Sequence, residues 1–116
     1  MSDIRRRRMS PTSLGHAAPV FAALGDATRL KLVARLGSAG PLSIAQLAEG
    51  SDVTRQAITK HLLVLDDAGL VHSERRGRER IWEFDVGRLH EARRFLDDVS
   101  IQWDRALHRL KEFVEK

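Results

Sequence analysis

From Val86 to the end of the chain there is no proline, and apolar residues recur at Leu89, Ala92, Leu96, Val99, Trp103, Ala106, Leu110 and Phe113. The steps alternate three and four without a break. That is the a/d repeat of a helix presenting one continuous apolar seam. At ~1.5 Å per residue the helix is about 40 Å long. A chain of 116 residues has length for one core and little for a second. This helix therefore outlasts any core it could help to close. We read the seam as an interface with a second copy, with Trp103 as its central anchor. The plainer alternative is a helix packed wholly on its own domain.

The rest of the chain has to build that core, and it does so with few aromatic side chains. Hydrophobic residues make up 42% and charged residues 31%, the balance of a folded soluble domain rather than a disordered one. With aromatics at 5%, leucine, valine and alanine supply the packing, which favours helices. Residues 1–13 lack periodicity and read as a basic arm, followed by a domain over residues 14–116. Pro19 fits the first turn of a short helix whose apolar side is Val20, Phe21, Ala23 and Leu24. Asp26 is placed to cap a second helix bearing Leu30, Leu32, Val33 and Leu36, which Gly37 is expected to end. Ser43 and Gln46 stand in the S-x-x-Q relation of a capping box, predicting a short helix from Ile44 to Glu49 closed by Gly50.

A tight turn, "GSDV", then leads into "TRQAITKHLLVLDDAGLV". Thr54 can cap this fourth helix, Ile58, Leu62 and Leu65 form its inward stripe, and Gly69 stops it. Two helices joined by a glycine-containing turn, the second with a polar leading end, form the helix-turn-helix pattern. In that arrangement the leading residues of the second helix reach base edges in the major groove. Arg55 can donate two hydrogen bonds to guanine and Gln56 can pair with adenine. Thr59 and Lys60, one turn on, suit a methyl or phosphate contact, and His61 a phosphate contact or a polar helix position. An ordinary solvated helix start is the bland reading of the same residues.

Strand-like segments follow at Leu70 to Arg75 and Arg80 to Phe84, with "RRGRE" as a glycine turn between them. A hairpin this short must lean on the helices. Arginines around its tip suit a wing lying along a nucleic-acid backbone, with Arg76 or Arg78 reaching into a minor groove; a solvated turn is the alternative. The helix from Val86 completes the order. The fold class is mainly α with one small β-hairpin, α-α-α-α-β-β-α.

Several function classes fall away. With no cysteine, disulfides, thiolate chemistry and cysteine metal sites are excluded. No G-x-S-x-G, phosphate-binding glycine loop or histidine with an adjacent nucleophile is present, so no enzyme is expected. His108 and Glu112 stand at i, i+4, a spacing that can hold a metal. Two ligands on one helix are weak grounds even if His16 or His90 were to complete a site across a dimer, and we expect no metal and no other cofactor. No stretch approaches the ~18 apolar residues that span a bilayer. "RRRRMSPTSLGHAAPVFAALG" is a poor export signal because His16 and Pro19 break its apolar run, so a cytoplasmic protein is expected. The net charge is +4, of which the first twelve residues hold +3 through Arg5, Arg6, Arg7 and Arg8 against Asp3. The four arginines read as a solvated tail or as an arm adding nonspecific phosphate contacts.

The segments "FAALGDATRLKLVARL", "LSIAQLAEGSDVTRQAITKHLLVLDDAGLV" and "RRGRERIWEFD" together resemble the ArsR/SmtB family of winged helix-turn-helix repressors. The resemblance covers about residues 17–116. It implies a homodimer built from the first and last helices that binds a palindromic double-stranded DNA operator. On the family's pattern Arg55, Gln56, Ala57, Thr59 and Lys60 match recognition-helix positions. His61 matches the histidine of the S/T-x-H-L motif, and Gly77 and Arg78 match the centre of the wing. The chain departs from the metal-sensing members: "LAEGSDV" stands where they place a cysteine pair, and Asp104 and His108 are wrongly spaced for the site in the last helix. No inducer carries over. A metal-responsive repressor and a protein-interaction module on the same scaffold remain as rival readings.

Overall fold

The computed structural model describes residues 11–115; the side chains of residues 11–14 and of His16 lie outside the described set, as do Arg5 to Arg8. In chain order the elements are α1 (Pro11–Leu24), α2 (Ala27–Ala39), β1 (Leu42–Ser43), α3 (Ile44–Ala48), α4 (Arg55–Asp67), β2 (Val71–Arg76), β3 (Glu79–Phe84) and α5 (Val86–Glu115).

The caps expected from the sequence are in place. Asp26 accepts the Arg29 N–H at 3.0 Å and begins α2. Ser43 and Gln46 close a reciprocal capping box at 3.2 and 2.9 Å around the start of α3. Thr54 accepts the Ala57 N–H at 3.1 Å and begins α4. Each satisfies backbone donors that a helix start leaves open.

Two helix ends differ from expectation. Pro19 lies inside α1 rather than at its start, so the helix reaches back into the stretch expected to be an arm. A mid-helix proline crowds the carbonyl four residues earlier; here that residue is Gly15, the backbone freest to yield. Likewise α2 runs through the exposed Gly37 to a cap at Gly40, whose N–H bonds the Leu36 carbonyl at 3.1 Å. A glycine inside a helix costs only about 1 kcal/mol, and Gly40, at φ +85°, supplies the positive-φ helix end expected of Gly37. Leu30, expected inward, faces solvent instead, because the α2 stripe runs through Leu32 and Leu36 at i, i+4.

Val20, Ala23, Leu32, Leu36, Leu47, Ile58, Leu62, Leu65, Leu70, Val71, Trp82 and Ala92 form one core. The hairpin leans on it through Val71 and Trp82, as a two-stranded ribbon must. A third strand, unforeseen in the sequence because it is only two residues long, pairs Leu42 with Trp82 and Ser43 with Ile81, giving the antiparallel order β1-β3-β2. Phe21 on α1 and Phe95 on α5 meet with ring centroids 6.0 Å apart, which fixes the first half of α5 against α1.

Candidate nucleic-acid interface

The inward stripe of α4 is as the sequence predicts: Ile58, Leu62 and Leu65 are fully buried. Burying that stripe fixes the rotation of the helix and turns Arg55, Gln56 and Lys60 to solvent. None of the three side chains has a hydrogen-bond or ion-pair partner among the described residues. They are donors and acceptors held on a packed helix, free of such partners among those residues. Ala57 and Thr59 are half-buried beside them. The Thr59 hydroxyl donates to the Arg55 carbonyl at 2.9 Å, so it is committed to its own helix.

His61 does not join this surface. Its side chain is 24% exposed, with Nδ1 3.8 Å from the Asp26 carboxylate and 3.2 Å from an Arg29 guanidinium nitrogen. Of its two expected readings, phosphate contact or polar helix position, this geometry fits the second: His61 ties α4 to the start of α2. Arg29 reinforces the tie by donating to the Ala23 carbonyl at 2.6 Å. The Arg29 backbone N–H on the Asp26 carboxylate, aided by the charges of Arg29 and His61, holds that carboxyl below its ordinary range.

At the wing the chain turns on Gly77 and Arg78 between β2 and β3. Gly77 has φ +64° while among the described residues none but glycine has a positive φ, the pattern of a two-residue turn with glycine first. The four wing arginines are not equivalent. Arg76 lies 3.7 Å from Glu74, Arg80 donates to the Ser73 hydroxyl at 2.9 Å, and Arg75 reaches the Gly77 carbonyl at 3.4 Å. Arg78 alone of the four has no partner among the described residues. The wing tip and the leading turn of α4 are separate exposed groups on one core; no hydrogen bond or ion pair joins them.

Along α5 the heptad positions divide. Ala92 is 2% exposed and lies in the protomer's own core, with Leu89 packed against it. These two, expected in the dimer seam, are therefore claimed by the protomer itself. Leu96, Trp103, Leu110 and Phe113 are exposed, Trp103 at 64% and Phe113 at 77%; Val99 and Ala106 are half-buried. Leu107 and Val114, not counted in the seam, are exposed as well and widen the stripe at helical spacing. His108 Nε2 stands 3.2 Å from Glu112 Oε1 in an exposed i, i+4 pair, and the described residues hold no cluster of three or more metal-type ligands. None of the described helices is long and apolar enough to cross a membrane.

This chain is similar to known transcriptional regulators. A helix-turn-helix domain family model matches residues 24–74, from the end of α1 into β2. The HTH-type transcriptional regulator Rv2034 of Mycobacterium tuberculosis is 37% identical over 93 residues, covering 80% of this chain and 83% of the relative. An ArsR-like transcriptional regulator from Rhodococcus sp. RHA1 superposes with a TM-score of 0.78 at 37% identity, covering 88% of this chain and 95% of that one. The fold is also shared, at 22% identity and a TM-score of 0.59, with the homodimeric winged helix-turn-helix DNA-binding domain Mb0332 of Mycobacterium bovis, over 83% of this chain and 85% of that one. With the capped α3–α4 pair, the glycine-turned wing and these relatives in agreement, the chain belongs to the ArsR family of winged helix-turn-helix, DNA-binding transcriptional regulators.

Proposed function

We propose that two copies of the chain join through α1 and α5 and repress transcription from a palindromic operator in the cytoplasm. The observation behind this reading is the contrast on the surface of one protomer. The leading turn of α4 exposes unpartnered polar groups, while α5 from Leu96 onward exposes Trp103, Leu107, Leu110, Phe113 and Val114. Apolar side chains in that number along one helix face are covered in a working protein, and a second copy of the same stripe covers them at no cost in new chemistry. The homodimeric state of the Mycobacterium bovis fold neighbour supports the pairing of two copies.

In such a dimer residues 14–116 act as one DNA-reading domain, with the helix at 86–116 as its dimerising part. Two α4 helices set about 34 Å apart enter successive major grooves on one face of the duplex. Thr54 holds the helix start, Arg55, Gln56 and Lys60 face the bases, and Ala57 and Thr59 lie against the groove wall. Arg78 supplies the wing's phosphate or minor-groove contact, with Gly77 shaping the turn. A ligand that favours one dimer shape over another changes the spacing of the two helices and thereby the affinity.

Selection of bound duplexes from a random pool tests the reading. Enrichment of an inverted repeat, with affinity that declines steeply with salt, is the expected result. Failure to enrich any sequence, or an enriched site without two-fold symmetry, would refute it.

A further inference from the structure

One imidazole outside the reading surface touches three elements. His72 is the second residue of β2, directly after the turn that ends α4. Its Nε2 lies 2.7 Å from Asp85 Oδ2 and its Nδ1 3.7 Å from Asp66 Oδ1. Asp66 belongs to the last turn of α4. Asp85 immediately precedes α5, and its other oxygen accepts the Gly87 N–H at 2.9 Å. The backbone follows the same path: the Asp85 N–H donates to the Leu70 carbonyl at 2.8 Å. Gly69, with φ +79°, leaves room for Arg88, since a Cβ there would stand 2.7 Å from the Arg88 Nε. The end of the DNA-reading helix, the base of the wing and the start of the long helix therefore meet at His72.

We propose that His72 is a positioning residue for DNA reading, whose protonated imidazole holds the last turn of α4 to the first turn of α5. This rests on the reading of α4 as the recognition helix and α5 as the dimerising one. With both nitrogens protonated the ring donates to Asp85 and attracts Asp66. With one proton it keeps a single donor, and the lone pair on the other nitrogen faces the second carboxylate. Loss of the proton loosens the angle between α4 and α5, which in a dimer sets the spacing of the two recognition helices.

The other charged groups around the ring are consistent with a cation there. Glu83 is its cross-strand partner, and Glu74 and Arg76 lie further along β2 on the same shallow pocket wall. On α4, Asp67 follows Asp66 and is exposed. On α5, Arg88 is engaged with Glu91 at 3.4 Å. The hydrogen bond from His72, above all other causes, also holds the Asp85 carboxyl below its ordinary range.

The test is operator affinity between pH 5.5 and 8 for the full chain and for His72→Gln, His72→Arg and Asp66→Asn. For the wild type, affinity should fall about two- to fivefold across this range in excess of His72→Gln, the scale of exposed ion pairs. His72→Arg, charged throughout, should keep the low-pH affinity at pH 8, a rescue that a merely structural role for histidine would not give. Asp66→Asn should lose the excess slope. Equal slopes in wild type and His72→Gln would overturn the proposal. The joint is also read without DNA: the Asp85 carboxyl, followed by NMR, should titrate higher in His72→Ala. An unchanged Asp85 titration would overturn the clamp itself, whereas absence of selective DNA binding at any pH with a shifted Asp85 would instead overturn the reading of α4.

Discussion

At the leading turn of α4, Arg55, Gln56 and Lys60 stand in solvent on a helix whose other face, Ile58, Leu62 and Leu65, is completely buried. Along α5 from Ile101 onward only Ala106 is even half-buried, and most of what is exposed at heptad spacing is apolar. The first region is finished within one protomer and offers polar groups to an outside partner. The second is unfinished, because its apolar face has no counterpart among the described residues. The difference teaches that exposure has two meanings here. On the function proposed above, the unpartnered polar groups on the packed scaffold meet DNA, and the uncovered apolar stripe meets a copy of itself.

Breaking the unfinished region should have the largest effect. Trp103→Asp places a charge at the middle of the exposed stripe, where no contact of the protomer's own core is lost. Helix content by circular dichroism should stay unchanged. Sedimentation should report monomers, and operator affinity should fall by about 30-fold or more, the scale of a lost interface anchor. An intact dimer would place the interface elsewhere.

Breaking the finished region should change selectivity instead. Arg55→Ala and Gln56→Ala should each remove about 1–3 kcal/mol of discrimination between operator and mismatched duplex, with the dimer intact by sedimentation. Because both side chains are exposed and lack protomer partners, thermal stability should not move. Equal losses on operator and random DNA would assign base reading to another element.

The same two regions show what the sequence could disclose. Short-range chemistry was readable: Asp26, Ser43 with Gln46, and Thr54 each cap the helix that their spacing predicts, because a cap is settled within four residues. The stripe of α4 was readable because period and burial agree. What escaped depends on distant partners. His61 stands at a motif position of the family, and its contact with Arg29, thirty-two residues away, could not be read from the sequence. Ala92 continues the α5 seam in sequence, but the core of its own domain claims it. Gly37 and Pro19 look like helix ends and are not: Gly40 takes the end of α2 three residues later, and Pro19 lies between the buried Ala17 and Val20 of α1. The fold was thus legible nearly throughout, including the exposed leading turn of α4 and the glycine turn of the wing, while the burial of each seam position required knowing which half of α5 the protomer covers.

The wing allows a finer comparison between free and engaged cations. Arg78→Ala should weaken binding to operator and random DNA alike and lower the slope of log affinity against log salt by about 0.9, the release of one phosphate's counterions. Arg76→Ala should do less, because Arg76 already shares its charge with Glu74. The reverse ranking, measured by binding titrations at several salt concentrations, would shift the wing's contact from its tip to its flank.

The smallest effect expected is one of pH on the scaffold beneath the reading surface. Asp26 caps α2 and faces Arg29 and His61, and the Arg29 N–H first, then those charges, lower its carboxyl pKa from the ordinary 3.8. A carboxyl lowered on folding contributes stability that is fully present above its unfolded value and is lost as pH falls through its folded value. Asp26→Asn keeps an oxygen to cap the helix and removes only the charge. The variant should therefore melt slightly below wild type at neutral pH, and the gap should close as the pH is taken below about 4, where the unfolded carboxyl titrates. The absence of any gap at neutral pH would mean that the capping oxygen alone, without its charge, holds α2 beneath α4, and that the tie through His61 owes nothing to the charge of the Asp26 carboxylate.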